Sequence, residues 1–184
     1  MRGTLKALAL AAGVGIATVA PGAASSPPPA ASPLEPLRFL VGTWRGEGSG
    51  TPGQGSGTAT FAFELDGRVL VRRSLSDYPA AAGRPATVHE DLMVIHPAPG
   101  GHGLQAIDFD NEGHVIEYDD IAVAPDGRRV VLTSEIERSA PTFRLTYAKV
   151  DDDTVDVTFA IAPPGKPEEF TTYVSGRTRR TPSR

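Results

Sequence analysis

Four histidines, His89, His96, His102 and His114, fall in a stretch that also carries Glu90, Asp91, Asp108 and Asp110. Imidazole and carboxylate are the groups that bind metal ions and move protons near neutrality. Their spacing argues against a metal, because no pair has the H-x-H or H-E-x-x-H separation that aims two rings at one ion. Folding the chain about Pro97 to Gly101, and again about Asn111-Glu112, sets His89 beside Phe109 and Phe109 beside His114, one row across three strands. Asp91, Met93, Ile95, Gln105, Ile107, Ile116 and Tyr118 share that face, whereas Glu90, Asp108, Glu117 and Asp119 take the other, which suits solvent. Two strand spacings separate the histidines by roughly 9–10 Å, close enough to share one small molecule and too far to chelate one ion. The other possibility is that His89 and Asp91 satisfy each other or sit near a mouth.

Arg72 is a second chemical oddity. The hairpin Leu65-Asp66-Gly67-Arg68 places it on the apolar face of Phe61, Phe63, Leu65 and Leu70, where a guanidinium needs an anion; Asp91 or the acidic head of a ligand would supply it. A bulge near Gly67 would instead turn it outward. Catalytic signatures are few: the chain has no G-x-S-x-G elbow and no Walker loop, and Glu168-Glu169 and Asp151 to Asp153 read as solvated turns. No catalytic residue is assigned, and the balance leans away from an enzyme.

Elements to position these groups are legible as alternating runs cut by turn chemistry at Asp66-Gly67, Pro99-Gly100-Gly101, Asn111-Glu112-Gly113, Pro125-Asp126-Gly127, Asp151 to Asp153 and Pro163-Pro164-Gly165. A turn at Asp151 to Asp153 pairs Phe143 with Ile161, Leu145 with Phe159 and Tyr147 with Val157, leaving Arg144, Thr146, Asp156 and Thr158 on the wet side. The count predicts an all-β fold of about ten antiparallel strands in sequence, and closure into an up-and-down barrel removes both exposed edges. Gly42 to Gly50 reads as the opening strand, with Gly46, Gly48 and Gly50 on the face of Trp44, stripped of side chains where a strand bends or another group approaches. Leu34, Leu37, Leu40 and Val41 have helical spacing with Pro36 in the first turn, so one short helix leads into the barrel.

The 184 residues suit one domain, and Gly 20 with Pro 17 is punctuation too frequent for a helical protein. The absence of cysteine excludes disulfides, thiolate metal sites, cysteine nucleophiles and lipoprotein acylation. Arg2 and Lys6 precede an apolar run, Ala7 to Ala20, and the small residues Gly22-Ala23-Ala24, so residues 1–24 read as a signal peptide and the protein as exported, periplasmic or secreted, with no stable membrane insertion after cleavage. Cleavage there lowers Lys plus Arg from 18 to 16 against 22 acids, a charge of −6, which makes nucleic acid an unsuitable partner. Residues 25–33 form a Pro/Ser/Ala-rich tether, 34–180 the barrel domain and 181–184 a disordered tail.

The segment Leu37-Arg38-Phe39-Leu40-Val41-Gly42-Thr43-Trp44-Arg45-Gly46-Glu47-Gly48 resembles the opening of nitrobindin-type barrels, which stand with lipocalins and fatty-acid-binding proteins among the lipocalin-like (calycin) folds. His89 to Ile95 and Phe109 to Ile116 are similar to segments of exported bacterial relatives, and the likeness runs over about 34–180. It implies that Gly42 and Trp44 close one end of the barrel, the indole lying under Arg177 or Arg179 of the last strand. Nitrobindins hold ferric haem through a histidine on that strand, and bind nitric oxide or isomerise peroxynitrite. Here the terminal arginines align Tyr173 with that histidine, and no histidine follows His114. Haem would require tyrosinate ligation by Tyr173 and is otherwise not expected as a cofactor.

The function these residues predict is that of a carrier or sensor of a small apolar or amphipathic molecule. His89, Asp91, Met93, Ile107, Phe109, His114, Ile116, Tyr118 and Arg72 line its lumen, and no metal is bound. The alternatives are a ferric haem protein and a filled barrel serving structure or interaction.

Overall fold

The computed structural model describes residues 32–182. The expected signal peptide, 1–24, and most of the tether lie outside the described residues, and the tail is described only as far as Pro182. Ten strands follow one 3-10 helix, Glu35–Leu40: β1 Gly42–Gly50, β2 Gly55–Glu64, β3 Val69–Tyr78, β4 Thr87–Pro97, β5 Leu104–Asp110, β6 Val115–Val123, β7 Arg129–Ser134, β8 Thr142–Lys149, β9 Thr154–Ala162 and β10 Thr171–Arg180. Each strand pairs antiparallel with the next, and β10 returns to pair with β1, so the sheet is a closed barrel. Closure leaves no strand edge for another chain to extend.

The short helix is the stopper. Leu34, Leu37 and Leu40 recur every third residue, so in a 3-10 turn they fall on one face, and all three are fully buried. Trp44 of β1 packs against them and donates Nε1–H to the Leu40 carbonyl at 2.6 Å. Its ring lies 4.2 Å beneath the guanidinium of Arg180, which also donates to the carbonyls of Phe39 and Val41. This corrects the expectation for Arg177 and Arg179. Trp44 pairs with Arg180 across β1 and β10, so the side chains that alternate inward are Thr178 and Arg180, while Arg177 binds Asp156 on the outer wall and Arg179 sits opposite Arg45. Gly42 holds φ at +124°, and a Cβ there would lie 2.6 Å from the Arg180 guanidinium, so this glycine makes room for the brace.

Three neighbouring strands leave a bare strip above this closed end. Gly46 pairs with Gly57, and Gly48 lies between Gly55 and Gly176. A Cβ on Gly46 would come within 2.5 Å of the Arg177 carbonyl oxygen, so this wall is backbone packed closely on backbone.

Register agrees with the sequence expectation in two hairpins and departs from it in two others. Phe61 opposite Arg72 and Phe63 opposite Leu70 are as predicted for β2 and β3, as is the whole ladder from Phe143–Ile161 to Tyr147–Val157 in β8 and β9. Leu65, expected inward, is instead part of the turn, exposed, with φ of 51°. Between β4 and β5 the pairs are Asp91–Asp110, Met93–Asp108 and Ile95–Ala106, an odd offset from the expected His89–Phe109 alignment. The loop runs from Ala98 to Gly103, closed by Ala98 N–H to the Gly103 carbonyl, which moves β5 by three residues and reverses its faces. Ile107 and Phe109 consequently turn outward, and Asp108 turns inward. The β5–β6 pairing, Phe109 with Val115, is displaced by one residue from the expected pairing of Phe109 with His114, and that second reversal restores Ile116 and Tyr118 to the interior.

Candidate functional site

Above the closed end lies a cavity of about 650 Å³, open at the other. Its apolar walls include Phe61, Phe143, Leu145, Val157, Phe159 and Ile161, and its bare wall is the glycine strip of β1, β2 and β10. The polar side comes from β3 to β6, where pairing builds rows across the strands. The deepest runs Phe61, Arg72, Met93, Asp108 and Ile116; the next holds Ser74, Asp91 and Asp110; the outermost pairs Ser76 with His89.

Arg72 is the centre of the polar side. Its Nη2 donates to Asp91 Oδ1 at 2.5 Å and to Asp108 Oδ2 at 2.9 Å, while Nη1 donates to the Tyr147 hydroxyl at 2.6 Å. Ser74 donates to the second oxygen of Asp91 at 2.7 Å. The arginine and both acids are nearly closed to solvent, with side-chain exposures of 9%, 11% and 13%. Burial works against the guanidinium charge, and its contacts with Tyr147, Asp91 and Asp108 outweigh that, holding it protonated. Burial, reinforced by Asp91 and opposed by Arg72, pushes Asp108 up to about 6. Burial likewise raises the phenols, Tyr147 to about 12 and Tyr118 well beyond its usual value, so both remain neutral donors.

The cluster is short of partners. Arg72 Nε, Asp108 Oδ1 and Tyr118 Oη are buried on the cavity with no hydrogen-bond partner among the described residues. Such orphans cost free energy unless something enters to meet them.

The histidines lie higher. His89 sits at the rim, one third exposed, with Nδ1 3.4 Å from Glu112 Oε1 and Nε2 3.6 Å from Asp91 Oδ2. His114 is 65% exposed and bonded through Nδ1 to Asp110 Oδ2 at 2.8 Å, a contact that raises its pKa. The two rings are therefore joined through Asp110 and Glu112, and not across Phe109. His114 belongs to the mouth, where Phe109 also borders the cavity, although it is 43% exposed and pairs with Leu92 and Val115 on the face opposite Asp108. Ile107 stands between Val94 and Glu117, away from the cavity lining, a correction that follows from the reversed β5.

Donor atoms of His89, Asp110 and Glu112 fall within 4.8 Å of one another, a separation a metal ion could bridge. Asp110 is already committed to the turn: Oδ1 accepts from the backbone N–H of Glu112 and of His114, and Oδ2 meets the His114 ring. Tyr173 lies at a bulge in β10 between Thr172 and Val174, 37% exposed and edge-on to Phe159 at 6.2 Å. Met93 is wholly buried within the deepest row, between Arg72 and Asp108.

Sequence reasoning omitted Asp108, Ser74 and Tyr147 from the site. The signal for Asp108 was Arg72 itself: a guanidinium buried between two strands needs anions within reach, and the row through Met93 leads to Asp108.

No protein-family model matches this chain, and no curated protein matches it. Among solved structures the barrel is similar to that of Rv2717c from M. tuberculosis, with a TM-score of 0.57 at 15% identity, over 83% of this chain and 99% of that one. At this identity the likeness is one of fold.

Proposed function

We propose that this chain is an exported binding barrel, a carrier or sensor that holds one small amphipathic molecule in its lumen without transforming it. The observation that carries this is the cavity of about 650 Å³ with buried, unpartnered polar atoms on one side and aromatic and aliphatic walls on the other. A barrel filled for structural purposes has neither the space nor the orphaned groups. The opening segment Leu37 to Gly48 and the ten-strand closure support placing the chain with nitrobindin-like barrels of the calycin kind.

Haem fits this lumen poorly. Arg72 is the one Lys or Arg among the lining residues, and it is already bound to two carboxylates, so no free cation is left for the propionates. Asp91 and Asp108 also put carboxylates in the lining that an apolar macrocycle would have to meet. Tyr173 stands at the mouth, on an irregular stretch of β10.

The test is uptake of Nile red, a neutral lipophilic dye. The wild-type barrel is expected to bind it saturably with one-to-one stoichiometry and enhanced emission. Val157→Trp, which projects an indole across Gly176, should abolish uptake while circular dichroism stays unchanged. Equal uptake by the folded variant would mean that the dye binds elsewhere and would remove the support.

A further inference from the structure

The polar side of the lumen has a charge, and that charge selects the ligand. Two buried carboxylates, Asp91 and Asp108, share one guanidinium, so the cluster carries an excess negative charge when both are ionised. Further out, Asp110 and Glu112 line the cavity beside His89 and His114, which pair with them, and Arg72 is the one Lys or Arg among its lining residues. A cleft with this lining concentrates cations and repels anions. Within the cluster, the terminal nitrogens of Arg72 are spent on Asp91, Asp108 and Tyr147. The acceptor left over is Asp108 Oδ1, and the neighbouring Tyr118 Oη, 1% exposed, is equally without a partner among the described residues.

Resting on the lumen-binding reading above, we infer that the ligand carries a protonated amine at its polar end, bound between Asp108 Oδ1 and Tyr118 Oη, with an apolar body against Phe143, Phe159 and Ile161. A carboxylate head would meet a guanidinium whose terminal nitrogens are already bound, with two like charges beside it. Asp108 is faced by Arg72 from β3, by Asp91 and His89 from β4, and by Tyr118 and Tyr147 from β6 and β8. Of these the carboxylates and the phenols can accept from an ammonium. Ser74 completes Asp91, so Asp108 is the acid with an unpartnered oxygen.

Dodecylamine, dodecanoate and dodecanol, which share a chain and differ only in the head, test this in competition against Nile red at neutral pH. The wild type is expected to prefer the amine to the carboxylate by about tenfold or more, the worth of one buried charge-assisted bond. The amine-to-carboxylate ratio should fall toward one in Asp108→Asn and partway in Tyr118→Phe. A ratio at or below one in wild type, or a ratio unmoved by both substitutions, overturns the inference and leaves the lumen reading standing on dodecanol and Nile red. If none of the three competes and Nile red does not bind, the lumen reading falls and takes the inference with it.

Discussion

At Asp108 the fold holds a carboxyl group whose charge it disfavours: burial pushes it up to about 6 from an ordinary value of 3.8. The native state therefore binds this proton more tightly than the unfolded chain. Its contribution to stability is full below about pH 4 and is lost as pH rises through about 6, a loss of at most about 3 kcal/mol. Asp108→Asn lacks that titration. The difference in unfolding free energy between wild type and Asp108→Asn, from urea melts at ~pH 4 and ~pH 8, should move in favour of the variant as pH rises. A difference that stays flat would contradict the buried acid pair. Arg72 predicts the complementary effect, since Arg72→Gln leaves two carboxylates without their cation and should cost about 3–5 kcal/mol at neutral pH. Arg72 was legible as a problem from the sequence, because the tight Asp66-Gly67 turn sets it on the apolar face unless a bulge intervenes, and the pairing of Phe61 with Arg72 shows that none does. Asp108 was not, because Leu104, Ala106 and Asp108 alternate with Gln105, Ile107 and Phe109, and each set holds two apolar residues and one polar.

Element by element, legibility followed the turns. The β8–β9 hairpin turns at Asp151 to Asp153, where Asp151 Oδ1 accepts the Asp153 N–H, and so compact a turn admits one register. The six-residue loop Ala98 to Gly103, rich in glycine, admits several, and an odd error there turns a whole strand over. The closing strand shows the same sensitivity: Arg177, Arg179 and Arg180 are all arginines, and only the pairing of Trp44 with Arg180 decides which one braces the indole. Arg180→Ala should loosen the stopper by about 2–3 kcal/mol through the lost stack and backbone bonds. It should also shift the emission of Trp44, the sole tryptophan, to longer wavelength. Arg177→Ala, on the outer wall, should leave that emission where it is. Both variants behaving alike would contradict the assignment. Gly46→Ala should destabilise the β1–β10 seam by about 1–3 kcal/mol, as overpacking does, read as a lowered Tm.

As a whole molecule the barrel is asymmetric along its axis: sealed by Leu34, Leu37, Leu40 and Trp44 at one end, polar across its middle, open and acidic at the mouth. Among the described residues that gradient suits the proposed container, closed at one end and open at the other. It also predicts that hemin will give no saturable Soret shift that Tyr173→Phe removes, because the lumen offers a porphyrin carboxylates where it needs cations. Native mass spectrometry of the protein with excess Nile red, a probe whose binding does not depend on the charge of a head group, is the most direct test of the container. The account predicts one molecule bound to wild type and none to folded Val157→Trp. Bare protein in both spectra, or the same adduct on both, would contradict it.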